Sequence, residues 1–76
     1  MTVGDNIQEM RREMGITIDE LARRVGCDRF HVEEVEAMGD HVTVFELRVF
    51  ARALYTMPTK LMGFENLGKY YVIWLL

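Results

Sequence analysis

Two amphipathic stretches separated by only three residues, Gly26-Cys27-Asp28, constrain this chain more than any other feature of it. The first stretch opens at Thr17, which with Glu20 makes a T-x-x-E capping box: each side chain is placed to satisfy a free backbone N–H of the first turn. Ile16, just before the cap, is spaced to staple onto Leu21. Ile18, Leu21, Ala22 and Val25 then recur at helical intervals as a buried stripe, and Gly26 ends the run. Asp28 opens the second stretch as an N-cap whose side chain accepts from the first-turn amides. Val32 and Val35 are spaced to face the core, and this helix is expected to stop near Ala37–Gly39.

The flanking sequence repeats the same grammar. Val3, Ile7, Met10 and Met14 stack on one face of a helix over residues 3–14, which Gly15 terminates. Thr43 and Glu46 form a second capping box, Val42 can staple Leu47, and Leu47, Phe50, Ala51 and Leu54 give the inward stripe of a fourth helix. Pro58 suits the first position of a short fifth helix, where its missing N–H is not needed. Leu61 and Met62 are expected to seal the core, and Gly63 to end the helix. From Phe64 the character changes. Tyr70-Tyr71-Val72-Ile73-Trp74 is aromatic and β-branched, which reads as a strand. The organisation is therefore one domain over residues 1–63 and an apolar extension over 64–76. A length of 76 residues, half of them hydrophobic, fits one domain with its own core and argues against disorder.

Two helices joined by a short turn containing glycine make a helix-turn-helix unit. The pattern around it resembles the Cro/repressor (XRE-type) family. The resemblance rests on Ile7-x-x-Met10-Arg11, Gly15-Ile16-Thr17, Glu20-Leu21-Ala22, Val25-Gly26, Val32, Val35-Glu36 and Thr43 through Leu54, in register without a gap from about Val3 to Gly63. It implies an all-α, five-helix lambda-repressor-like DNA-binding domain, here with the C-terminal strand added. It also implies a transcriptional regulator that binds operator DNA, often as a dimer, with the third helix in the major groove. On that analogy Arg29, Phe30, Glu33 and Glu34 face the groove. Arg29 would pair with guanine, a glutamate would accept from cytosine N4, and Phe30 would press on a thymine methyl. The family also implies a structural ion pair between Arg11 and Glu36.

Charge supports a competing reading. The net charge is −3, and residues 28–41 hold five acids (Asp28, Glu33, Glu34, Glu36 and Asp40) against one base, Arg29. Where the family places a phosphate-touching glutamine this chain has Ile18, and the loop Ala37–His41 carries no lysine or arginine. Phosphate contacts dominate DNA affinity. The alternative is a helix-turn-helix-fold protein-interaction module in which the acidic third helix and Phe30 grip a basic protein partner. Phe30 either stands on that outer face or tucks back against the second helix.

Other functions find little footing. His31 and His41 have no partners at metal-ligand spacing, so neither a metal nor another cofactor is expected. Cys27 sits in a turn position suited to a small buried residue, and no catalytic constellation stands out, so an enzyme is not expected. A single cysteine precludes an intrachain disulfide and points to a cytoplasmic location. Residues 1–15 lack the apolar run of a secretory leader. The longest apolar run, Tyr70–Leu76, is far short of the ~20 residues needed to span a bilayer. Exposed at a chain end, that run invites association. The reading preferred here is a homodimer in which Tyr70, Tyr71, Val72, Ile73 and Trp74 pair with their copies across a two-fold axis. Folding back over the bundle, or leading into a longer protein, are the alternatives.

Overall fold

Threonine hydroxyls start three of the five helices among the described residues. The computed structural model describes residues 1–63, which form α1 (Val3–Glu13), α2 (Ile18–Val25), α3 (Arg29–Ala37), α4 (Val44–Ala53) and α5 (Pro58–Leu61). No strand occurs among the described residues, and the strand and dimer contacts expected at Tyr70–Trp74 lie outside them. Thr2, Thr17 and Thr43 each accept a hydrogen bond from the amide three residues on, at 3.1, 3.0 and 3.1 Å. Asp28 does the same for α3, accepting from the His31 amide at 2.9 Å.

The capping boxes differ from expectation. The reciprocal box forms at Thr2 and Asp5, where the acid is an aspartate instead of the Glu or Gln of the usual pattern. At Thr17 and Thr43 only the threonine half forms. The Glu20 carboxylate turns instead to Arg23 and Arg24, at 2.6 and 3.0 Å, and Glu46 turns to His31. A guanidinium gives the carboxylate a charge-assisted bond that an exposed cap amide does not match. The Thr17 hydroxyl still satisfies a first-turn donor. Thr17→Ala is therefore expected to destabilise the fold by about 1 kcal/mol, a drop of roughly 4–8 °C in Tm for a domain of this size by thermal circular dichroism.

These carboxylates also set an acid limit. Hydrogen bonds from the Thr2 backbone and then its hydroxyl hold the Asp5 carboxyl below its ordinary value. The Arg23 and then the Arg24 guanidinium do the same to Glu20. A folded-state value below the unfolded one gives stabilisation that is full above the unfolded value and is lost as pH falls through the folded one. The Tm difference between the native chain and Glu20→Gln should therefore be present at neutral pH and close on acidification below 4.5, the ordinary value for Glu20. A gap that persists in acid would contradict this.

The inward stripes meet in one core. Ile7 of α1, Leu21 and Ala22 of α2, Val32 and Val35 of α3, and Leu47, Phe50 and Ala51 of α4 are buried, with Leu54 and Leu61 closing the far end. Met10 and Met14 pack at its edge. Met62 does not seal the core as expected. It caps a helix of only four residues, and its side chain stays exposed because Leu61 already fills the space beneath.

Long-range ties hold α1 in place. Val3 N donates to Asp40 Oδ1 at 3.0 Å, Gly4 N donates to the Gly39 carbonyl at 2.9 Å, and Asn6 Nδ2 donates to the Leu61 carbonyl at 2.8 Å. At Gly4, α1 presses directly on the backbone at the end of α3. Between α2 and α3 the chain reverses at Gly26, whose φ of +89° lies in the left-handed region that favours glycine. None of the described helices is long and apolar enough to cross a membrane.

Candidate functional site

α3 is braced from behind and open in front. Behind it, the Arg11 guanidinium grips Glu36 through Nε–Oε2 at 2.8 Å and Nη2–Oε1 at 3.4 Å. A third bond runs from Nη1 to the Ile16 carbonyl at 3.1 Å. The two side chains are only 9% and 6% exposed, so the pair is buried, and three guanidinium N–H groups find acceptors inside the protein. It links α1, the α1–α2 turn and the C-terminal end of α3.

In front, the structure brings Arg29, Phe30, Glu33 and Glu34 onto one outward face. Phe30 is 73% exposed, so it stands clear of α2. Arg29 is already engaged: Nη2 lies 3.1 Å from Glu33 Oε1 on its own helix, and Nη1 lies 3.5 Å from Asp19 Oδ2 on α2. The only base of this helix thus sits between two carboxylates. Glu34 projects freely, its carboxylate 3.8 Å from His31 Nδ1. The other side of the imidazole points inward. Its Nε2 lies 3.2 Å from Glu46 Oε2, and its ring stands 6.5 Å from that of Phe50. Glu46 Oε2 is buried and receives no aligned hydrogen bond, so closeness rather than directionality joins α3 to α4 here.

A second surface was missed in the sequence. Phe45, Arg48, Val49 and Arg52 line a groove of about 920 Å³, together with Tyr55 and Met57 beyond the end of α4. Arg24 stands over the Tyr55 ring, 5.6 Å from its centroid. The outward residues of α4 recur at helical spacing, and that pattern was the available clue.

Cys27 is a weak candidate nucleophile. Burial first, then the charges of Asp28 and Glu46, push its thiol up, which keeps it protonated. Among the described residues no group of His, Cys, Asp and Glu is arranged to hold a metal. Set against known proteins, the chain matches no family model, no curated protein and no solved structure.

Proposed function

We propose that this chain is a helix-turn-helix DNA-binding transcriptional regulator of the Cro/repressor kind, working in the cytoplasm as a homodimer with α3 in the major groove. One observation carries the reading. The N-terminal half of α3 projects Arg29, Phe30 and Glu33 away from the core, while the buried Arg11–Glu36 pair fixes the helix from the opposite side. A reading helix must be both exposed and rigidly seated. The sequence resemblance from about Val3 to Gly63 supports it.

On this reading Arg29 must leave Asp19 and Glu33 to reach a guanine. That exchange weakens binding, and removing the competing charges should strengthen it. Asp19→Asn combined with Glu33→Gln is expected to tighten DNA binding about tenfold, equivalent to about 1.4 kcal/mol. The measurement is fluorescence anisotropy of duplex fragments titrated at low salt. Affinity should fall steeply as salt rises, because bound phosphates release counterions. No binding at any salt, for the native chain or the double variant, would exclude the proposal.

Dimerisation is assigned to Tyr70–Trp74, and two copies would read half-sites about 34 Å apart. In light scattering at high salt, a chain ending at Gly63 should be monomeric where the full chain at the same concentration is dimeric.

The Asp19–Arg29–Glu33 bridge favours a second reading, in which the face binds a basic protein. It neutralises the one cation of α3 and leaves Phe30 among Asp28, Glu33 and Glu34. Aromatic side chains, phenylalanine among them, are enriched at protein interfaces relative to the rest of the surface. Glu33→Lys with Glu34→Lys should improve DNA affinity under either reading, but abolishes partner capture only under this one.

A further inference from the structure

No described residue covers the groove along α4, which has an apolar floor and a cationic rim. Phe45 and Tyr55 are 75% and 81% exposed, and Met57 is also exposed. Among the described residues, Arg48 and Arg52 meet no carboxylate at salt-bridge distance. On a chain of net charge −3, such a face marks segregation of charge rather than an excess of base. Tyr55 adds a local anomaly. Its φ is +53°, where glycine or asparagine is less strained, yet an aromatic ring is held outward there.

The complementary surface lies on the same chain. The outer face of α3 presents one exposed ring, Phe30, beside Glu33 and Glu34, with Asp28 at its start and Arg29 already bound to carboxylates. We infer that a second copy of this chain docks α3 into the groove. Phe30 enters the apolar floor between Phe45 and Tyr55, and Glu33 and Glu34 meet Arg48 and Arg52. The two surfaces differ, so the contact is head-to-tail. Each bound pair leaves one groove and one α3 free, and the assembly grows instead of closing at two. Pairing through Tyr70–Trp74 closes at two, so the modes are separable. The association does not depend on DNA being the ligand of α3, but any ligand of that face competes with it.

Sedimentation velocity of the full chain over a concentration series, at low and high salt, tests the inference. The weight-average mass should climb past the dimer at low salt and return to the dimer at high salt, because the contact is ionic at its rim. Arg48→Glu with Arg52→Glu, and separately Glu33→Lys with Glu34→Lys, should each stop the growth. All four positions are exposed, and circular dichroism checks that both variants fold. Mixing the two variants restores opposite charges across the contact and should restore growth. Adding Phe30→Ala to both should abolish it again, which general attraction between an acidic and a basic protein would not do. A mass that never exceeds two, or a mixture that behaves as the sum of its parts, overturns the inference. So does binding of a single-stranded oligothymidylate that is lost in Arg48→Glu/Arg52→Glu while self-association is unchanged, which would give the groove to nucleic acid.

Discussion

Arg11→Ala is expected to lower stability by about 3–5 kcal/mol, enough to leave so small a domain partly unfolded near physiological temperature. The guanidinium donates two bonds to Glu36 and one to the Ile16 carbonyl, and Glu36 is almost wholly buried. Truncation would leave a carboxylate in the interior with no cation and no solvent. The cost lies in that orphaned charge, not in the modest net worth of the pair. Replacing both partners with apolar residues of similar volume, Arg11→Met with Glu36→Leu, should therefore recover most of the loss. Thermal denaturation reads both: the single variant falls by at least about 12 °C in Tm, and the double variant returns toward the native value. If the two variants melt together, the pair is not buried as described.

Gly4→Ala is the second large effect, and its sign runs against helix propensity. In an exposed helix, alanine is the better residue by about 1 kcal/mol. Here a Cβ would sit 2.5 Å from the Glu36 carbonyl oxygen, 3.0 Å from its carbon and 3.1 Å from the Val35 carbonyl oxygen. All three are backbone atoms of α3, so no side chain can rotate aside. α1 must move away from α3, straining the Gly4–Gly39 and Val3–Asp40 bonds with it. The expected loss is about 3 kcal/mol, at the upper end for overpacking. Gly15→Ala is the contrast: nothing lies within 4 Å of a Cβ there, and only its φ of +70° resists. It should be destabilising by about 1 kcal/mol, the strain of one left-handed residue. Urea unfolding of the two variants should rank Gly4→Ala clearly the worse, and equal midpoints would contradict the close approach.

What was legible in the sequence was local. Threonine and aspartate caps act on amides three residues away, and the stripes from Ile7 to Leu54 repeat within single helices, so short-range spacing reveals both. What was illegible depends on distant partners. Asp40 reaches back 37 residues to Val3, and Asn6 reaches 55 to Leu61, with nothing local to announce either. Gly4 looks like a poor helix residue until the backbone behind it is seen. The half-formed boxes at Glu20 and Glu46 show how the cap pattern fails: a carboxylate able to close the box turns to a nearer side chain, the guanidiniums of Arg23 and Arg24 for Glu20 and the imidazole of His31 for Glu46. Arg11 and Glu36 came from family resemblance, since their spacing of 25 residues carries no information by itself. The groove was hidden differently. Phe45 and Val49 lie on α4 at helical spacing, a pattern that usually means core, and only exposure, high at Phe45 and partial at Val49, separates them from Leu47 and Phe50.

The proposed function stands or falls on a contact between duplex DNA and the outer side of α3. Backbone amide NMR of the labelled full chain, with duplex added at low salt, tests it residue by residue. The account predicts that the largest shifts fall on Arg29 through Glu34 and vanish as salt is raised. Shifts confined to the α4 groove, or an unchanged spectrum at duplex excess, would contradict it.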